Sequence, residues 1–168
     1  MTTPLTFTVL GEPIPKGSTK AFYVPKLKRA IVTHDNPRTR TWAQQVLEAA
    51  VAAYGNAAPL DGPVVLTLRF YLPKPKSAPK RVVDQVKKPD LDKLVRALKD
   101  GLTRAGVYHD DAQVVATVAT KQFAAGVYDP LGEKGVPRAV VIVGACLLPE
   151  LPAVETQAPI FGGGGIHA

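Results

Sequence analysis

The chain has 168 residues, 46% of them apolar, and sets 21 Lys and Arg against 14 Asp and Glu, giving a net charge of +7 and a pI near 9.6. That length fits one domain around one core, and the charge predicts attraction to a polyanion, nucleic acid being the commonest. Cys146 is the single cysteine, which excludes an internal disulfide and a cysteine-rich zinc site and fits a reducing cytoplasm. No run approaches the ~20 apolar residues of a spanning helix and the start MTTPLTFTVLGEP has no signal pattern, so neither secretion nor membrane insertion is expected.

Leu5, Phe7 and Val9 alternate with Thr6 and Thr8, which predicts a half-buried strand ended by Gly11 and Pro13. A basic, turn-rich stretch follows with Lys16, Lys20, Lys26, Lys28 and Arg29, interleaved with Phe22 and Tyr23, and a hairpin is expected over about 21–33. Asn36 and Pro37 supply an N-cap and an N1 proline, and Trp42, Ala43, Val46, Leu47, Ala50 and Tyr54 recur at helical spacing until Gly55. Arg38 and Arg40 lie in the first turn of that helix, where the macrodipole disfavours cations, so they face solvent or meet a phosphate.

Val64, Leu66, Leu68 and Phe70 alternate through a second strand, which stops abruptly. Residues 73–89 carry four prolines and the cations Lys74, Lys76, Lys80, Arg81, Lys87 and Lys88 against Asp84 alone, predicting an extended, mobile, positively charged loop. Leu91, Leu94, Val95, Leu98 and Leu102 then mark the apolar face of a helix ending near Gly106. Two further strands are expected at 113–123 and 139–148, and the proline- and glycine-rich segment 149–168 reads as a disordered tail.

Two pairs of aspartates flank that helix inside a basic protein. Grouped carboxylates repel unless a cation neutralises them, and hard oxygen donors suit Mg²⁺ or Mn²⁺. With Pro89 ahead, Asp90 reads as the N-cap and Asp92 as a first-turn residue, so both can converge beyond the helix N-terminus. Simple capping, worth about 0.5–2 kcal/mol, would explain them equally. Asp110 and Asp111 stand past the other end, where an Asp-Asp pair is ordinarily a turn. A helix of ~15 residues spans ~22 Å, so Asp111 does not meet Asp92 through the helix, and a strand returning antiparallel to it begins at the far end. Spacing therefore leaves convergence open between a shorter or bent helix, a fold-over of the connection, and a symmetry-related subunit. Asp92, Arg96 and Asp100 form an i, i+4, i+8 series, either a salt-bridge ladder or, with Arg96 and Lys93 facing a scissile phosphate, part of a site. His109 is a candidate general base or an ordinary surface histidine.

PDLDKL followed at this separation by DGLTRAGVYHDDAQVV resembles the RusA family of Holliday-junction resolvases, endonucleases of bacteria, prophages and phages that cut four-way DNA junctions. The likeness extends more loosely from the first strand, through EPIPKGSTK and the Asn36-Pro37 helix, to the last strand near Leu148, and leaves out the tail. It implies an α/β (α+β) subunit with a small mixed sheet packed by two main helices, one nuclease domain over 1–148, and an intertwined two-fold homodimer that nicks opposed strands symmetrically. It also implies an acidic site that gathers in space to bind Mg²⁺, or Mn²⁺ in its place. Asp90, Asp92 and Asp111 fall on the family's essential carboxylates, with Asp110 as the neighbouring acid. Two departures are visible: the family pattern usually has Asn after the second Asp and Lys four residues after it, where this chain has Lys93 and Arg96. Arg keeps the charge for phosphate neutralisation but does not lose a proton. Lys16, Lys20, Arg38, Arg40, the cations of the 74–88 loop and Lys93 are the expected DNA contacts. The rival readings are a nuclease for flaps, forks or other branched DNA, a non-catalytic DNA-binding module, and a Mg²⁺-dependent phosphohydrolase. The last is disfavoured by the charge and by the lack of a glycine-rich phosphate loop.

Overall fold

In chain order the elements are β1 (Leu5–Leu10), β2 (Thr19–Val24), β3 (Arg29–His34), α1 (Pro37–Tyr54), β4 (Val64–Leu72), α2 (Leu91–Arg104), β5 (Val114–Phe123) and β6 (Arg138–Ala145). The computed structural model describes residues 4–17, 19–34, 37–79, 81–124 and 135–145, with side chains described except at 19–22, 24, 27 and 30–34. The tail expected at 149–168, Lys80 and the side chain of Lys20 lie outside them.

The expected mixed α/β architecture is what forms. β1, β6, β4 and β5 lie side by side in one sheet, with β1/β6 and β6/β4 antiparallel and β4/β5 parallel. β2 and β3 make the expected hairpin, closed by a 3-10 turn at Pro25–Leu27. Period-two alternation aims Phe7 and Val9 of β1, Leu66, Leu68 and Phe70 of β4, and Val141 and Val143 of β6 into one core. The two helices cover it, α1 through Trp42, Val46 and Ala50, and α2 through Leu94, Ala97, Leu98 and Leu102. Full burial of a leucine of this kind stabilises by roughly 1.5–3 kcal/mol, so the leucine stripe is enough to seat α2 firmly. No helix among the described residues is long and apolar enough to cross a membrane.

α1 and α2 are in close contact at Gly101, which lies against Val46. A helical glycine replaced by alanine ordinarily gains about 1 kcal/mol, but here an added Cβ would lie 2.4 Å from Val46 Cγ1 and 2.9 Å from Val46 Cβ. The clash wins. Gly101→Ala is expected to destabilise by about 1–3 kcal/mol, read as a lower urea midpoint at unchanged m. A raised midpoint would show that the helices have slack at this crossing.

The basic loop after β4 differs from the expectation of a free, extended arm. It folds back on the end of β5: Asp84 bridges Gln122, the Phe123 amide donates to the Val83 carbonyl at 2.8 Å, and Lys74 Nζ donates to the Val82 carbonyl at 2.7 Å. Prolines exclude helix and inner strand here, but they leave the carbonyls free to accept, and β5 supplies the donors.

The parallel β4/β5 pair sets the direction in which the chain passes α2. Parallel neighbours need a crossover, and the crossover here is α2. The helix therefore runs opposite to both strands.

Candidate active site

α2 begins after Pro89. Asp90 holds the N-cap position with extended backbone (φ −71°, ψ 140°), and its carbonyl accepts from the Leu94 amide at 3.3 Å, but its carboxylate makes no capping bond. That carboxylate lies 3.3 Å from Lys93 Nζ instead. Capping thus does not consume the Asp90 side chain.

β5 returns along the helix. At the C-terminal half of α2, Lys99 Nζ stands 3.8 Å from Asp111 Oδ2, and at its N-terminus Lys121 Nζ donates to the carbonyls of Lys87 and Pro89, both at 2.8 Å. Between helix and strand runs a cleft of about 610 Å³, lined by Leu91, Asp92, Val95, Arg96, Lys99, Asp111, Thr117 and Ala119. Asp92 and Asp111 thus face one space although they flank opposite ends of the helix.

Asp92, Arg96 and Lys99, at i, i+4 and i+7, share the face of α2 toward this cleft. Asp100 does not join them. It pairs with Lys16, whose amide also donates to the Lys93 carbonyl at 3.1 Å, so the N-terminal segment straps the far side of the helix. The ladder weighed for Asp92, Arg96 and Asp100 is absent, and among the described residues neither Asp92 nor Arg96 makes an ion pair.

Asp111 is positioned by a tightly bonded turn. Asp110 caps the 3-10 segment Asp111–Gln113, its Oδ1 accepting from the Ala112 amide at 2.7 Å. Gln113 Oε1 accepts from the amides of His109 (2.7 Å) and Asp110 (3.1 Å), while its Nε2 donates to the carbonyls of Leu60 (2.9 Å) and Gly62 (3.0 Å). Asp110 therefore serves the turn, and Asp111 lines the cleft. His109 turns its ring to Asp61, 3.0 Å away, and is not among the residues that line the cleft. Gln113→Ala removes four hydrogen bonds together, two accepted by Oε1 and two donated by Nε2. We expect about 2 kcal/mol of lost stability, at roughly 0.5–1.5 kcal/mol per net hydrogen bond with some replaced by water, and slower cutting as Asp111 loosens. Thermal unfolding beside a cleavage assay checks both, and an unshifted melting temperature would deny the staple its importance.

Residues 11–130, a span that includes both aspartate pairs and the whole cleft, match the family described as endodeoxyribonuclease RusA. The chain belongs to this family. It is also similar to the uncharacterized protein YqaN of Bacillus subtilis (strain 168), at 27% identity over 128 residues that cover 70% of this chain and 87% of that one. RusA proteins are endodeoxyribonucleases that resolve Holliday junctions, which makes this chain a nuclease for junction DNA.

For a RusA protein the donor set can be tested against a divalent metal. Two aspartates on one cleft offer hard oxygen donors, and Mg²⁺ is commonly held by one or two carboxylates completed by substrate phosphates and water, so the residues fit. Among the described residues no three His, Cys, Asp or Glu side chains gather closely enough to hold a metal by themselves.

The cations expected to hold DNA divide by what they touch. Lys16 pairs with Asp100, Arg38 with Glu12 and Lys93 with Asp90, while Lys74 bonds the Val82 carbonyl and stands 5.9 Å from the Phe123 ring. Arg40, Lys76, Arg81, Lys87 and Lys88 are exposed. Three residues of the site are not evident from sequence pattern in the way the aspartates are: Lys99, Lys121 and Gln113. The i+7 spacing from Asp92 is a sufficient signal for Lys99. Nothing local announces Lys121, whose two acceptors lie more than thirty residues earlier in the chain.

Proposed function

We propose that the chain is a Mg²⁺-dependent resolvase that opens four-way DNA junctions by paired symmetric nicks, serving recombination and repair in the cytoplasm of a bacterial cell. The observation that carries this reading is the cleft between α2 and β5, where Asp92, Asp111 and Arg96, the last without an ion-pair partner among the described residues, meet in a chain of net charge +7. Two carboxylates lining one cleft call for a cation, and a guanidinium on its wall calls for an anion. A metal bound to a phosphodiester answers both.

Asp92 and Asp111 would hold the metal, completed by water and phosphate oxygens, and Asp90 would join as a third carboxylate on turning away from Lys93. The chemistry such an ion, Mg²⁺ or Mn²⁺ in its place, would supply is a lowered pKa for an attacking water and charge stabilisation at the departing 3′ oxygen, so that hydrolysis would leave 5′-phosphate and 3′-hydroxyl ends. Arg96 neutralises the phosphate's developing charge while keeping its own proton. Apolar Leu91 and Val95 line the cleft beside Asp92 and Arg96. Exposed Arg40, Lys76, Arg81, Lys87 and Lys88 grip the arms through phosphates, Lys20 and Lys80 belong to the same basic set, and affinity falls steeply with salt. A two-fold homodimer matches the two-fold axis of an open junction. The edge of β5 before Gln122, which pairs with no further strand among the described residues and exposes Val115 and Val118, supports such an assembly.

The test sets a synthetic four-way junction, a flap and a linear duplex against the protein in Mg²⁺ or EDTA. Symmetric nicks on opposed strands of the junction, lost in EDTA and absent from the duplex, are the expected result. Equal cutting of the flap would make the chain a broader branched-DNA nuclease. Binding with no cutting in either condition would refute the proposal.

A further inference from the structure

Lys99 has no task in metal binding or charge neutralisation as assigned to Asp92, Asp111 and Arg96, yet its side chain is the more enclosed partner of its pair, 21% exposed against 47% for Asp111. Its place on α2 is fixed. The Lys99 carbonyl accepts from Tyr108 Oη at 3.2 Å and from Thr103 Oγ1 at 3.1 Å. Tyr108 is buried, and burial pushes its phenol well above the ordinary range, so the hydroxyl stays a donor. The ammonium end is held far more loosely. At 3.8 Å from Asp111 Oδ2 it is beyond hydrogen-bond length, and half-exposed pairs of this kind contribute little to stability. A fixed backbone position carrying a weakly committed cation suits an anion that arrives from outside. Arg96, one turn away on the same wall, brings the cleft to two cations between two carboxylates.

We infer that Lys99 grips the DNA phosphodiester in the cleft alongside Arg96, with Asp111 as its holding partner until DNA arrives. The inference rests on the nuclease reading for the identity of the anion. Arg96 is a planar fork suited to two phosphate oxygens, whereas Lys99 is a point charge on a flexible stem, so the two are complementary in reach. A second consequence concerns Asp111. An ammonium beside that carboxylate competes with any divalent cation for it, so Lys99 also sets how much Mg²⁺ the cleft demands.

The experiment uses the full chain as wild type, Lys99→Met and Lys99→Arg, binding a synthetic four-way junction in EDTA over a range of salt. Each neutralised phosphate adds about 0.9 to the slope of log affinity against log salt on duplex arms. Lys99→Met is expected to lower that slope by about one, and Lys99→Arg to restore it. In cleavage assays Lys99→Met is expected to need about threefold less Mg²⁺ for its half-maximal rate, although that rate is lower. A purely structural lysine would give a different result: Lys99→Met would lower the melting temperature and leave both the slope and the Mg²⁺ midpoint unmoved, which overturns the inference. The slope is read without cutting, so the result stands apart from the mechanism. An Asp92→Asn protein that still cuts would sink the site assignment, whereas a dead Asp92→Asn with an unchanged Lys99→Met slope would sink the role of Lys99 alone.

Discussion

Asp92→Asn is expected to bind a four-way junction as tightly as the wild type or more so, and to cut it at least about 1,000-fold more slowly, about 4 kcal/mol of barrier. The substitution keeps the shape of the side chain and removes one negative charge from the cleft. Losing that charge eases the approach of DNA phosphate, so binding holds. On the proposed metal-dependent reading, losing an anionic ligand would weaken the hold on the divalent cation, so cutting would fail. The cost to folding is small, because an aspartate in the first turn contributes only about 0.3–1 kcal/mol through the helix dipole. Asp111→Asn is expected to follow the same pattern, since that carboxylate lines the same cleft from the opposite wall. Asp110→Asn is the contrasting case: its carboxylate caps the turn, asparagine caps nearly as well, and cutting should fall far less. A junction assay on the three proteins, with melting temperatures alongside, decides the matter. Asp92→Asn with undiminished cutting would move the active site elsewhere.

Arg96→Ala is the second large effect, about 100-fold or more in cutting rate, in line with the removal of a single preorganised group facing a reacting oxyanion. Arg96 lines the cleft and has no ion pair among the described residues, so its charge is not already balanced within them. Arg96→Lys should recover part of the loss, because an ammonium keeps the charge but not the two-pronged geometry. Single-turnover rates at saturating junction separate this from weakened binding. If alanine and lysine behaved alike and close to wild type, the guanidinium would have no part in the reaction.

Much of this protein was legible from local pattern. The alternation at Leu66, Leu68 and Phe70 and the leucine stripe from Leu91 to Leu102 placed β4 and α2, because each period reports one buried face. The two aspartate pairs could be picked out as well, since acid inside a basic chain is conspicuous. Other features were not legible, and they share a cause. Asp100 looked like the continuation of the Asp92 and Arg96 series, but Lys16, 84 residues earlier, claims it. The proline-rich loop looked free because its own residues form no regular structure, but its carbonyls find donors on β5.

From the sequence alone came the elements, their apolar faces, the charge that draws DNA, and the residue types able to bind a metal and a phosphate. Only the tertiary structure decided that β5 lies parallel to β4, so that the strand returns along α2 and sets Asp111 across a cleft from Asp92. Periodicity within a segment records which side of it is buried. Which segment lies against it depends on contacts between distant residues, and no local spacing encodes them.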